Sequence, residues 1–449
     1  MIFMNQLYHN DIYKFNSPVK SYWEDTCSDI KESFRKINSN TSSNIVVIGA
    51  GYTGLSCAIQ LAKKYHEEVT VIEAGHIGWG SSARNAGFCC IPPTKLSSEK
   101  MKKVYGIEET KKFYSNTIEG SNFTKFLIED NQIDCDLTGD RNFEVAHHPN
   151  AFQYLKDEAK VYKKEFNIET EIYSQKEFEE IGHSGMEQFG AFSYKPGFAI
   201  NPLKLVLGLA TIAKNLGINI YEKSPVTKIE KNMGKYKVIT KNASIVANKV
   251  VIASNGFYKD DLIPDLNDRI LPAISNIIVT RPLTEYEISS QNFKTYNPIL
   301  NSRKLLYYYR LLKDNRFLFG ARGDLIGSDR SSLKMTNKME KEMKNIFPHW
   351  SNVRIDYRWR GLVAMTNKLS PSIGKLENDE IYYSFGYHAN GVNTAPWAGK
   401  VVANLIAGSN SKDLMISKLY LGLPKKFIFP KLRLFYLRLA YLYYGISDK

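Results

Sequence analysis

Ile45-Val46-Val47-Ile48-Gly49-Ala50-Gly51-Tyr52-Thr53-Gly54 is the stretch that decides the fold. Four consecutive apolar residues read as a strand buried on both faces, as in a parallel sheet. The three glycines that follow have different jobs. Gly49 permits a tight turn off the strand, and Gly51 leaves no side chain to block a pyrophosphate. Gly54 lets the next helix pack closely on the sheet. That helix is expected over residues 55–65, where Leu55, Ala58, Ile59 and Ala62 share a face. A second strand, Val69–Ile72, ends on Glu73, nineteen residues after Gly54. An acid there accepts hydrogen bonds from a ribose diol and repels a 2′-phosphate. The whole is a Rossmann-type βαβ unit, with Gly49, Gly51, Tyr52, Thr53, Gly54 and Glu73 as cofactor-binding residues and the helix N-terminus facing the phosphates.

FAD and NAD share this fingerprint, and the next segment separates them. Residues 74–87 form a small, polar, Gly/Ser-rich loop containing Ser81, Ser82, Arg84, Asn85 and Ala86. Its hydroxyls and backbone amides suit a pyrophosphate and a flavin, with Arg84 adding charge. A simple NAD dehydrogenase has no need of such a loop, so FAD is the expected cofactor.

The 449 residues give material for two or three domains. With 43% hydrophobic and 24% charged residues, the chain is of ordinary globular composition. The first forty residues lack the apolar core of a signal peptide. Five cysteines, at 27, 57, 89, 90 and 135, form no CxxC pair, which argues against a disulfide framework or metal site and for a reducing cytoplasm. The net charge of +14 arises from 45 Lys and 15 Arg. That bias fits AT-rich coding better than a phosphate-reading surface, where Arg is favoured, and no nucleic-acid partner is expected.

The blocks 48–56 and 78–87, the latter Gly-Trp-Gly-Ser-Ser-Ala-Arg-Asn-Ala-Gly, resemble the D-amino-acid oxidase superfamily of FAD-dependent amine oxidoreductases, in particular the γ-glutamylputrescine oxidase branch. Weaker matches run through Val250–Gly256 and Trp359–Gly361, and a specific one through residues 385–393, Phe-Gly-Tyr-His-Ala-Asn-Gly-Val-Asn. The resemblance implies an α/β fold: a discontinuous Rossmann-type FAD-binding domain (44–95, 200–260, 366–408) with an interleaved α+β substrate domain (96–199, 261–365) roofing the flavin. Residues 1–43 are then an N-terminal extension and 409–449 a basic, aromatic tail. It also adds Val226, Gly256, Gly386, Asn390, Gly391 and Val392 to the cofactor-binding set. A helix capped by Asn393 or Thr394, with Pro396 in its first turn, would aim its positive end at the flavin.

The activity implied is oxidation of a small primary or secondary amine: hydride passes from the amine-bearing carbon to flavin N5, and the imine is hydrolysed. Oxygen or quinone would reoxidise the flavin. A tRNA-modifying flavoenzyme is the alternative from another class, although no RNA-binding module accompanies the FAD unit. His388 lies in a cofactor-lining motif. Residues 305–322 read as a β-hairpin with Tyr308 and Arg310 on one face and Tyr307 and Tyr309 on the other. His388, Tyr309 and Arg310 are the catalytic candidates, with Arg322 beside them if the register allows. Residues 363–366 lack the Cys through which some relatives attach FAD, so the cofactor is expected to be non-covalent, with Cys89 or Cys90 the rival attachment points. In the tail, Leu432, Phe435, Tyr436, Leu439 and Tyr443 recur at helical spacing among basic residues. Such a helix either folds back on the protein or gives peripheral contact with an anionic membrane.

Overall fold

The strand read at 45–48 spans Thr41–Ile48 in the computed structural model, which describes residues 7–30 and 33–448. Its alternate side chains enter two cores. Ile45 and Val47 pack with Leu55, Ala58 and Ile59 of the following helix, Tyr52–Tyr65, while Val46 and Ile48 pack with Tyr236, Val238 and Ile252 on the other face. Burial on both faces is what makes the run uninterrupted rather than alternating.

Six strands lie side by side in the order Ser372–Lys375, Ile381–Phe385, Ser244–Ile252, Thr41–Ile48, Val69–Ile72, Asn219–Tyr221. All neighbours are parallel except the first pair. Two further strands, Val226–Asn232 and Lys235–Thr240, continue from the first half of Ser244–Ile252 as an antiparallel ribbon. The sheet is therefore assembled from three stretches distant in sequence, as a discontinuous Rossmann-type domain requires.

A second eight-stranded sheet runs Ile355–Met365, Leu271–Thr280, Phe317–Arg322, Tyr308–Leu311, Ile299–Asn301, Asn142–Val145, Ala191–Tyr194, Thr170–Tyr173. One face is covered by helix Asp329–Ile346 over an aromatic core that includes Phe143, Tyr309, Phe317, Phe319 and Trp350. The other face looks back toward the glycine turn.

The two termini are more involved than an extension and a tail. Trp23 Nε1 donates to Asn85 O (2.9 Å), Trp79 Nε1 donates to Ser17 O (3.1 Å), and Phe15 packs on Trp79, so the N-terminal segment clasps the 74–87 loop. Tyr420 stacks between Phe113 and Trp397, which builds residues 409–422 into the helical layer of the first sheet. Only from Phe427 does the chain run on to the last helix, Arg433–Ser447.

Candidate functional site

A cavity of about 930 Å³ runs between the sheets, from Glu73 and Val226 at one end to Glu144 and Glu158 at the other. Its floor at the first end is bare backbone. Gly49 sits at φ +109°, and a Cβ there would lie 2.8 Å from Ala253 O. A Cβ on Gly51 would stand 2.7 Å from Ser82 Oγ, and one on Gly54 only 1.8 Å from Gly49 O. Gly49, Gly51, Tyr52 and Thr53 line the cavity, whereas Gly54 lies behind it in the helix–sheet contact. The Glu73 carboxylate accepts from Ala50 N (3.0 Å) and Gly75 N (2.9 Å), and burial raises its pKa.

The 74–87 loop is held by its own side chains. Arg84 does not extend along the cavity as a free charge. Its Nε donates to Trp79 O (2.6 Å), Nη1 donates to Arg360 O, and the guanidinium lies 4.0 Å over the Trp79 ring. Burial lowers its pKa to about 9. Asn85 Nδ2 donates to the carbonyls of Ser81 and Ser82 while its Oδ1 accepts from Gly87 N. Both residues brace the loop and still line the cavity with Ser81, Ser82 and Ala86. Ser81 Oγ donates to Leu362 O, and Ser82 Oγ accepts from Tyr52 N.

The third wall comes from residues 386–392. Gly386, His388 and Ala389 all have positive φ (81°, 49° and 80°), a tight turn that sets Asn390, Gly391 and Val392 on the cavity. Gly386 itself lies behind the lining and donates its N–H to Asn255 Oδ1, beside Gly256, which does line it. The helix begins earlier than its sequence suggests, at Gly391, and Pro396 falls inside it rather than in the first turn. Proline has no N–H for Val392 O, and Thr124 Oγ1 lies 3.0 Å from that carbonyl, shared with Gly120 O of its own helix at 3.0 Å. Asn390 makes no side-chain cap, so the N-terminal amides of Gly391 and Val392 remain directed at the cavity.

The hairpin forms as expected, Tyr308 opposite Gly320 and Arg310 opposite Leu318, but it assigns different residues to the site. Tyr308 lies against Gly320, where any Cβ would strike its ring, and both Tyr308 and Arg322 line the cavity. Tyr309 points to the far face, into the aromatic core, with its hydroxyl 3.0 Å from His183 Nε2. Arg310 shares the Tyr308 face but lies two residues further along. Its Nη2 donates to Ile200 O (2.6 Å), and its guanidinium sits near the Trp23 and Phe88 rings. Neither Tyr309 nor Arg310 reaches the main cavity, because side-chain alternation turns the one away and position along the strand removes the other.

His388 is on the wall. Its Nε2 stands 3.3 Å from Thr366 Oγ1, and burial holds the ring neutral, with its pKa lowered to about 3. Beyond it lie charged residues that no motif announced. Lys95 lines the cavity and is open to it; the enclosing walls, and then Arg322, lower its pKa. Burial raises the carboxyls of Glu144 and Glu158, and the charge of Glu158 raises Glu144 further. Cys90 lines the same region with its thiol held well above the usual range by burial, and Cys89 is buried against Ser121.

A long cavity with a bare glycine floor, an acid at one end and an uncapped helix N-terminus on its wall fits FAD. One buried atom on that wall, Ser254 Oγ, has no hydrogen-bond partner among the described residues. Fold and cavity together define an FAD-dependent oxidoreductase.

The chain belongs to the DAO family of FAD-dependent oxidoreductases, whose family model matches residues 44–405. It is 29% identical over 406 residues to the probable oxidoreductase OrdL of Haemophilus influenzae, covering 89% of this chain and 91% of that protein. It is 31% identical over 375 residues to the γ-glutamylputrescine oxidoreductase of Escherichia coli, covering 84% and 86%. Among solved structures, the glycine oxidase of Geobacillus kaustophilus superposes with a TM-score of 0.69 at 18% identity, covering 84% of this chain and 96% of that one. The L-proline dehydrogenase of P. horikoshii superposes with a TM-score of 0.67 at 22% identity, covering 83% and 95%.

Proposed function

We propose that this enzyme oxidises a small primary or secondary amine at the carbon bearing the nitrogen, giving an imine that water hydrolyses. The reading is carried by the far half of the cavity, where Tyr308, Arg322, Lys95 and His388 surround space continuous with the cofactor floor. The relatives that act on γ-glutamylputrescine and on glycine, by their names, support an amine or amino acid as substrate.

Bound FAD, held without a covalent link, supplies the hydride acceptor. The chain's own residues do the rest. The amides at Gly391 and Val392 and the dipole of their helix would hold the electron-rich edge of the cofactor and stabilise negative charge there. The second sheet covers the cavity, where Tyr308, braced against Gly320, would keep water from a bound substrate. Only the neutral amine has a lone pair to form the imine, and Lys95 Nζ, its pKa lowered by the enclosing walls and Arg322, is the group on the lining placed to take up a proton. His388 stays neutral and contributes no competing charge. Cys89 and Cys90 remain protonated thiols and make poor attachment points.

Anaerobic mixing with a panel of amines and amino acids tests the reading: one of them should bleach the flavin and yield an aldehyde or keto product. Bleaching that requires NADH, with every amine inert, would overturn it. Peroxide release, or reduction of a soluble quinone, then distinguishes the two acceptors.

A second element of the reading is peripheral contact with an anionic membrane through the last helix. Leu434, Leu437 and Tyr441 pack this helix onto Leu271 and Ala273, and Arg433 is tied to Asp260 at 2.7 Å. The opposite face, Phe435, Leu439, Leu442, Tyr443 and Ile446, is exposed, as are Ile428 and Phe429 before it. Lys425, Lys426, Lys431 and Arg438 flank that apolar surface, and no acid occurs between Asp413 and Asp448. Among the described residues no helix is long and apolar enough to cross a membrane, so such contact would be interfacial.

A further inference from the structure

We propose that a second, smaller pocket, between Trp23 and Arg310, binds a small carboxylate that tightens the hold of the 74–87 loop on FAD. The site lies outside the main cavity and stands apart from the amine reading.

The pocket holds about 210 Å³ and is built from four parts of the chain. They are the N-terminal segment at Trp23, the turn at Asp136, the start of helix Pro202–Asn215 at Asn201, and the hairpin from Arg310 to Asp314.

Arg310 is the reason to expect an anion. Its side chain is 3% exposed, and among the described residues it forms no ion pair. Burial lowers its pKa only to about 10, so a full charge remains at neutral pH. One hydrogen bond serves it, from Nη2 to Ile200 O at 2.6 Å. The Trp23 and Phe88 rings, 5.5 and 5.8 Å from the guanidinium carbon, soften that charge without neutralising it. Nε is walled in without a partner. Nη1 also makes no hydrogen bond but is not walled in, and the pocket is the space this side chain lines. A buried cation in this state is costly unless an anion reaches it.

The other charges on the lining leave that need unmet. Asp136 is countered by Lys204 at 3.0 Å, and Asp314 by Arg316 at 3.1 Å. Lys313 is exposed and, among the described residues, has no ion pair. The surplus is therefore one buried and one exposed cation, reinforced by the positive end of the helix that Asn201 caps. Two acids on the same lining disfavour a multiply charged anion. A planar carboxylate suits a guanidinium edge, and the Trp23 ring offers a wall to a short alkyl chain.

The walls of this pocket also support the cofactor loop. Trp23 Nε1 donates to Asn85 O, and Ile200, whose carbonyl Arg310 holds, donates its N–H to Gly87 O at 2.9 Å. The contact is close: a Cβ on Gly87 would lie 1.9 Å from Ile200 O and 3.0 Å from Arg310 Nη2. A carboxylate on Nη1 would fix the guanidinium, and through Ile200 the end of the loop that lines the FAD cavity.

Calorimetric titration of the FAD-loaded enzyme with propanoate, at fixed ionic strength, tests the site. The wild type should bind one propanoate per chain, and Arg310→Gln should weaken binding by about tenfold or more, the order of a desolvated charge-assisted bond. Lys313→Glu, at an exposed position, should weaken it by about threefold or more and judges the site if Arg310→Gln does not fold. Saturating propanoate should also slow FAD loss on ultrafiltration, and by linkage the FAD-free enzyme should bind propanoate more weakly. No saturable heat in the wild type, or affinities equal in wild type and variants, would overturn the site. Chloride that displaces propanoate at equal concentration would overturn the carboxylate assignment. Binding that leaves FAD loss unchanged would overturn the coupling to the loop.

Discussion

The Tyr309 hydroxyl donates to His183 Nε2 at 3.0 Å, deep in the core behind the second sheet, while His183 Nδ1 donates to Ser184 O. Both ring nitrogens are used by a neutral imidazole, and burial lowers its pKa from 6.5 to about 4. Protonation therefore favours the unfolded chain. The stabilisation is complete above pH 6.5 and is lost as pH falls toward 4, at about 1.4 kcal/mol per unit for this one group. His388 adds a loss of the same sign, reaching down to about pH 3. His183→Phe leaves the Tyr309 hydroxyl unpaired and should cost about 1–3 kcal/mol at pH 7. Its Tm should nevertheless fall less than that of the wild type between pH 7 and pH 5. Equal falls would show that the histidine is not a source of acid sensitivity.

Gly51 tests the cofactor floor. Gly51→Asp sets bulk and negative charge where a pyrophosphate must lie, and its Cβ meets Ser82 Oγ. The purified variant should be colourless, whereas the wild type should be yellow and release free FAD on acid precipitation. Cys90→Ala should release FAD in the same way. Colour that stays with the precipitated wild-type polypeptide but leaves the Cys90→Ala pellet would identify a covalent link.

Thr124 is the unexpected support of the helix Gly391–Ile406. Its hydroxyl lies 3.0 Å from Val392 O and 3.3 Å from Asn393 O, the end of the helix that Pro396 leaves short of a donor, with Gly120 O of its own helix competing at 3.0 Å. Thr124→Val keeps the shape and removes the bond, which should cost about 1–3 kcal/mol and weaken FAD retention on ultrafiltration. An unchanged Tm together with unchanged FAD content would mean that the carbonyl finds another partner.

The FAD half of this molecule could be read in the sequence because its function constrains backbone. Gly49, Gly51 and Glu73 follow the βαβ spacing, and that short unit brings Glu73 back to the glycine turn, against Ala50 N. The hairpin was legible to within its alternation: Tyr308 and Tyr309 fall on opposite faces, as period two demands. Choosing the site face needed the second sheet's position, which local pattern does not encode, and Arg322 rather than Arg310 ends beside the cavity. Lys95, Glu144 and Glu158 were missed for the same reason. They come from a loop, a four-residue strand and a helix, and meet only through tertiary packing. The N-terminal segment did carry a signal, its density of aromatics at Tyr8, Tyr13, Phe15, Tyr22 and Trp23, but nothing in it says which surface those rings would clasp.

The last helix offers a prediction in which fold and function separate cleanly. Leu437 is 5% exposed and fixes the helix to the body, whereas Leu442 and Ile446 are 66% and 74% exposed and touch little. Replacing both with Glu should leave stability within about 0.5 kcal/mol, as exposed substitutions generally do. FAD content should likewise be unchanged. If the exposed face lies on an anionic membrane, the wild type should sediment with phosphatidylglycerol vesicles at low salt and progressively less as salt rises, each flanking Lys or Arg contributing about 1 kcal/mol. The double variant, with two acids on the apolar face, should stay in the supernatant. Neutral phosphatidylcholine vesicles should hold the wild type weakly, since only the apolar term remains. A wild type that ignores anionic vesicles at low salt, or a double variant that sediments as well as the wild type, would remove the membrane from the reading and leave the helix as a clamp on Leu271 and Ala273 alone.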